Sequence, residues 1–89
     1  MITADSDSET TLDRLPAGAA AQVTALRMQG AERRRMMDLG ILPGTILFAE
    51  MASPLGDPTA YLVRGALIAL RREQARQIEI EPVSQEVSA

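Results

Sequence analysis

Apolar and polar residues alternate in several short runs between residues 20 and 81, and this pattern predicts a small, mainly β protein. Runs with the two-residue period of a strand are AAQVTALRM (20–28), TILFAEM (45–51), TAYLV (59–63), ALIAL (66–70) and IEIE (78–81). GAERRRMMDLG (30–40) has helical spacing instead, and RREQARQ (71–77) is at most one helical turn. Five short strands, a helix inserted after the first strand and tight turns at Gly and Pro predict a small, strongly bent SH3-like β-barrel with short helices.

The alternation also assigns strand residues to the two faces of the sheet. We expect the inward face to be filled by Ile46, Phe48, Tyr61, Val63, Ile68 and Leu70. The same register turns Leu47, Leu62 and Leu67 outward, where they would form one exposed apolar patch. Such a patch on a small protein usually marks a partner surface, and self-association is as plausible as a foreign partner. Two alternatives stay open: the sheet is curled enough to bury both faces, or the terminal tails cover the patch.

The segment RMMDLGILPGT (35–45) predicts an abrupt corner between the helix and the next strand. Gly40 is expected to end the helix in the left-handed conformation, with Ile41 folding back onto Met36. Pro43 and Gly44 fit the two central positions of a type II turn. These five residues are therefore predicted to be structural, although the glycine pair could also let a partner's backbone approach closely.

The composition excludes most catalytic and metal-binding classes of protein. The chain has 89 residues, which is enough for one small domain, and it contains no cysteine and no histidine. The commonest general base, the commonest transition-metal ligand and the thiol nucleophile are therefore all missing. The carboxylates are scattered along the sequence, so we expect neither an enzyme, nor a cofactor, nor a tight metal site.

The charge of the chain makes nucleic acid an unfavourable partner. The formal net charge is −3, all nine cationic residues are arginine, and the chain has one Tyr and one Phe. A nucleic-acid-binding protein would be expected to have a basic surface and stacking aromatics. Arg33, Arg34 and Arg35 form a run of charges, which is most often a solvated helix face. Together with Arg71 and Arg72 they could instead form a patch for phosphate or for an acidic partner, and Arg33 and Arg34 are the candidate partner contacts.

Both ends of the sequence are poor in core-forming residues. Residues 1–11 are polar and acidic, and we expect them to form a flexible tail, as we do residues 82–89. The organised domain is then expected to span residues 12–81. No apolar run approaches the roughly 18 residues of a membrane span, and the opening residues do not have the pattern of a signal peptide. We therefore expect a cytoplasmic protein without direct membrane insertion.

Four segments together resemble the ferrous iron transport protein A (FeoA) family. They are LDRLPAG (12–18), RRRMMDLGILPGT (33–45), SPLGDP (53–58) and VRGALIALRREQARQIEIE (63–81). Each is weak by itself, but their combination in this order is specific. The resemblance covers nearly the whole organised part of the chain and implies an SH3-like barrel.

The resemblance also implies a function. FeoA-like proteins are small accessories of ferrous iron uptake, and their expected role is to dock on the cytoplasmic GTP-binding domain of the membrane ferrous iron permease and to modulate transport. The chain would then be recruited to the inner face of the membrane by its partner. The family supplies no catalytic residues to carry over. The alternative from the residues alone is a generic SH3-like adaptor that binds a peptide or protein in another pathway.

Overall fold

The secondary structure follows the sequence pattern closely. The structure is a computed structural model of the chain. It describes residues 10–52 and 54–83, except the side chain of Ala52. The strands are β1 (Thr10–Thr11), β2 (Ala20–Leu26), β3 (Ile46–Ala52), β4 (Thr59–Val63), β5 (Ala66–Leu70) and β6 (Ile78–Val83). The α-helices are α1 (Gly30–Asp38) and α2 (Arg72–Ala75), and a 3₁₀ turn covers Leu12–Arg14. Each predicted element is present, with bounds within two residues of those expected.

All six strands join one antiparallel sheet in the order β1-β6-β2-β3-β4-β5, which confirms the mainly β prediction. The helix α1 connects β2 to β3, the first two strands of the predicted set. The first strand, β1, lies inside the predicted N-terminal tail. The sequence did not predict it, because β1 is held by backbone pairing with β6, which its polar side chains do not reveal. The last strand, β6, continues to Val83, past the predicted domain end. The rest of both predicted tails, residues 1–9 and 84–89, lies outside the described residues.

Two irregularities bend the sheet around its core. The register shifts between Val23 and Ala25 where β2 pairs with β6, and between Ala49 and Met51 where β3 pairs with β4. An extra residue on one strand increases the local twist and bends that strand. The sheet can therefore enclose one apolar core on its inner face, and α1 and the 3₁₀ turn each add a residue to that core.

The core consists of apolar residues from every major element. The largest fully buried side chains are Leu12, Val23, Met36, Ile41, Leu47, Tyr61, Val63, Ile78 and Ile80. Within residues 10–52 and 54–83, no charged or polar residue is buried and no buried side-chain nitrogen or oxygen lacks a hydrogen-bond partner. The hydroxyl of Tyr61 donates to the carbonyl of Leu12 at 3.4 Å, which links β4 to the 3₁₀ turn.

The helix-to-strand corner has the predicted geometry. Gly40 has φ +94°, its N–H donates to the carbonyl of Met37 at 2.9 Å, and the N–H of Ile41 donates to the carbonyl of Met36 at 3.0 Å. These are the two hydrogen bonds of a Schellman motif, and both Ile41 and Met36 are fully buried in the core. Gly44 has φ +99° at the third position of the following turn, as a type II turn requires.

We predict that Gly40→Ala destabilises the domain by about 1–2 kcal/mol, because an alanine must adopt the left-handed conformation there. An added Cβ would also lie 3.3 Å from Cδ of Arg64. Gly40→Asn introduces the same Cβ but tolerates positive φ, so it should cost clearly less. Chemical denaturation followed by circular dichroism measures both. Equal losses for the two variants would mean that crowding, and not backbone conformation, governs this position.

Burial raises the pKa of the Tyr61 phenol above its ordinary value of 10.0; a hydrogen bond with Thr59 offsets part of this rise, and the charges of Asp13 and Asp57 add to it. The folded state thus favours the neutral phenol. The contribution of Tyr61 to the free energy of unfolding should therefore be fully present below about pH 10 and be lost as the pH rises through the folded-state pKa. Since all nine cationic residues are arginine, no lysine titrates in this range. Thermal melts across this range should show the decline, and Tyr61→Phe should remove it. A decline that persists in Tyr61→Phe would contradict the assignment.

Candidate partner-binding face

The buried and exposed faces of β3 are exchanged relative to the prediction. Leu47 is fully buried, whereas Ile46 is 41% and Phe48 39% exposed. The prediction that Leu47 lies on an exposed patch is therefore wrong, as is the inward placement of Ile46 and Phe48. Leu47 pairs with Ala21 on β2 and with Val63 on β4, and both neighbours belong to the core. Because side chains in one cross-strand row share a face, Leu47 must point inward with them.

An apolar row nevertheless crosses the outside of the sheet. The register aligns Val83, Ala20, Phe48, Leu62 and Leu67 across five neighbouring strands. The β6 and β2 end of this row is largely covered, since Ala20 is buried and Val83 half-buried. The other end is open, because Leu67 is 64% exposed. A contiguous apolar surface therefore exists on β3, β4 and β5.

We call Ile46, Phe48, Leu62 and Leu67 the outer apolar face. Leu62 and Leu67 were predicted to face outward and do so, with Leu62 half-buried, and they are directly paired across β4 and β5. Phe48 takes the place that the sequence assigned to Leu47, directly opposite Leu62. An exposed apolar surface thus exists, but β3 contributes Ile46 and Phe48 to it and not Leu47. The aromatic ring of Phe48 increases the apolar area that a partner could bury.

An open groove of about 490 Å³ lies at one end of the outer apolar face. Its apolar wall is formed by Ile46, Phe48 and Leu62, and the rest by Gly44, Thr45, Arg64 and Gly65. Part of the structural corner therefore borders this groove through Gly44. The sequence did not single out Arg64, although Arg-Gly between two strand-like runs is compatible with a two-residue hairpin turn.

The candidate arginines of α1 lie elsewhere. Arg33 and Arg34 line a separate groove of about 430 Å³ with Met37 and Asp38, and Nη1 of Arg33 donates to the carbonyl of Leu26 at 3.3 Å. Arg71 and Arg72 border neither groove; the backbone N–H of Arg72 donates to Oδ1 of Asp57 at 2.8 Å. The structure thus separates the arginines of α1 from the outer apolar face.

Two further properties concern metal ligands and membranes. Within the described part of the chain, no group of three or more Asp and Glu residues gathers in a way that could hold a metal ion. No helix in residues 10–52 and 54–83 has the length and hydropathy needed to cross a bilayer.

A strongly bent antiparallel sheet with a helix between its first two long strands defines a small SH3-like β domain. The chain belongs to the FeoA family, because the FeoA domain model matches residues 10–82. The family prediction from the sequence is thereby confirmed.

Similar proteins come from several bacteria. The chain is 32% identical over 73 residues to an Fe(2+) transport protein A/Fe(2+) transporter FeoB fusion protein of Porphyromonas gingivalis. The aligned region covers 82% of this chain and 9% of that relative. The solution structure of FeoA from Chlorobium tepidum aligns with a TM-score of 0.81 and 35% identity over 89% of this chain and 75% of that one.

A third relative connects the family with the SH3 fold. The crystal structure of zinc-complexed FeoA from Stenotrophomonas maltophilia has a TM-score of 0.72 and 26% identity, over 81% of this chain and 89% of that one. That protein is described as an SH3 domain protein possibly acting as a ferrous iron transport activating factor. The SH3-like fold expected from the sequence is thereby confirmed.

The same substitution at two leucines tests the register. Leu47→Ala should lower the free energy of unfolding by about 2–5 kcal/mol, because it leaves a cavity in the core. Leu67→Ala should change it by less than about 0.5 kcal/mol, because that side chain is already exposed to water. Urea denaturation of the two variants measures the difference. If Leu67→Ala cost as much as Leu47→Ala, the register described above would be incorrect.

Proposed function

We propose that this chain is a non-catalytic accessory of ferrous iron uptake that docks on the cytoplasmic GTP-binding domain of the membrane ferrous iron permease. In this proposal the outer apolar face makes the contact, the chain is recruited to the inner face of the membrane, and docking modulates transport. The observation that supports it most is the fusion of a similar sequence to a ferrous iron transporter in one protein. Fusion keeps two modules at high effective concentration, which favours contact even when their interface is small.

The outer apolar face has the chemical character of a small protein interface. Partner surfaces concentrate their binding energy in a few large apolar and aromatic residues near the centre. Phe48 is such a residue, and Leu62 and Leu67 extend the surface across two further strands. These residues are not needed to fill the core, because the inner face is occupied by a different set.

The absence of histidine and cysteine from the sequence supports a non-catalytic role. A docking protein needs neither a general base nor a nucleophile, because it acts by favouring one state of its partner. The differential affinity for the two states would then set the size of the effect on transport.

We predict that Phe48→Glu and Leu67→Glu weaken binding to the purified GTP-binding domain of the cognate permease by at least about 30-fold, because each buries a charge in the apolar contact. Met37→Glu is the matched control: Met37 is 40% exposed, close to the exposure of Phe48, but lies on α1 beside Arg33 and Arg34. Calorimetric titration measures affinity, and thermal melts verify that all three variants fold. Loss of binding in Met37→Glu alone would move the interface to α1.

The biological role is tested in a strain from which this gene has been deleted. Uptake of radiolabelled ferrous iron should fall, and it should recover with the wild-type gene but not with Phe48→Glu. Normal uptake in the deletion strain, together with no binding of wild-type protein to the permease, would contradict the proposal. That result would favour an adaptor role in another pathway.

A further inference from the structure

Arg64 has a backbone conformation that its residue type disfavours. The turn between β4 and β5 consists of Arg64 and Gly65, flanked by the directly paired Val63 and Ala66. Arg64 has φ +52° and Gly65 φ +87°, so both central residues have positive φ, as in a type I′ turn. Such turns prefer Asn-Gly, whereas an arginine is strained in this region. Arg64 is the one residue other than glycine with positive φ in residues 10–52 and 54–83.

The side chain of Arg64 is placed against the corner and at the groove. Its Cδ lies 3.3 Å from the position that a Cβ on Gly40 would occupy, so the absence of a side chain at Gly40 gives room to the arginine stem. Arg64 is exposed and, among the described residues, is the single charged residue that lines the groove beside Ile46 and Phe48.

Arg64 has no acidic partner among the described residues. The salt bridge found in residues 10–52 and 54–83 joins Arg27 to Glu79 at 2.6 Å. The guanidinium thus borders a groove of about 490 Å³ that combines an apolar wall with polar and backbone surface, a volume that can accept a large side chain. Backbone strain of this kind is found preferentially at active sites and ligand-binding sites, which makes Arg64 a candidate contact residue.

We propose that Arg64 and the groove together bind a protein segment that presents a carboxylate next to a large apolar side chain. The apolar side chain would enter between Ile46 and Phe48 and exclude water, and the lower local dielectric would strengthen the contact of the carboxylate with Arg64. A single cation matches the one negative charge of a carboxylate better than the larger charge of a phosphate group. The net charge of −3 opposes binding to a densely anionic lipid surface more strongly than binding to a single carboxylate. This inference rests on the proposed function, since it specifies what the docking partner must display.

Three variants separate charge from backbone strain. Arg64→Gln keeps a long stem but removes the charge, so it should bind the cognate GTP-binding domain roughly 10-fold more weakly with an unchanged melting temperature. Arg64→Asn should bind equally weakly yet melt roughly 4 °C higher, because asparagine accepts positive φ. Arg64→Lys should keep most of the affinity. The proposal would be overturned if Arg64→Gln bound the GTP-binding domain with wild-type affinity. It would also be overturned if the chain self-associated through this face and Arg64→Gln did not weaken that self-association.

A second experiment does not require the permease. The full chain, isotopically labelled for nuclear magnetic resonance, is titrated with blocked leucyl-glutamate and, as a neutral isostere, blocked leucyl-glutamine. The glutamate peptide should bind about 3-fold more tightly and shift the amide signals of Phe48 and Gly65, and Arg64→Gln should abolish this preference. Equal binding of both peptides would overturn the inference. Failure of the wild-type chain to bind the GTP-binding domain, with the peptide preference intact, would contradict only the proposed function.

Discussion

The register of β3 depends on two backbone hydrogen bonds that hold the corner against β2. The N–H of Gly44 donates to the carbonyl of Val23 at 2.7 Å, and the N–H of Val23 donates to the carbonyl of Thr45 at 2.8 Å. They place the residue before the strand opposite Val23, so every later position of β3 has a defined partner. Since strand side chains alternate between faces, Leu47 then points into the core and Phe48 points out. The core and the outer apolar face both follow from this pairing.

The elements were predictable from the sequence because glycine and proline mark where they end. Gly40 ends α1 and Gly44 turns the chain, and both roles follow from local backbone chemistry that one residue type satisfies best. The composition of β4 was equally informative: Tyr61 and Val63 are buried while Leu62 is only half-buried, as alternation indicates. Local signals were sufficient wherever the structure depends on local constraints.

The faces of β3 were not predictable in the same way. Four successive residues from Ile46 to Ala49 are apolar, so the two faces are indistinguishable by hydropathy, and a shift by one residue exchanges them. Pairing with β2 and β4 determines which face of β3 is buried, and the paired residues lie more than ten residues away in sequence. Arg64 was missed for a different reason: its position at the groove depends on a positive φ, and the residue type gives no indication of that conformation.

The corner and the candidate site are physically one unit. Gly40 ends α1 with positive φ and, having no side chain, leaves the space in which the stem of Arg64 lies. The turn that follows contributes Gly44 to the groove wall and sets the register that exposes Phe48. A substitution at Gly40 therefore acts on stability through the backbone and on the groove through Arg64. Because these two effects share one residue, stability and binding measurements on the same variants are needed to separate them.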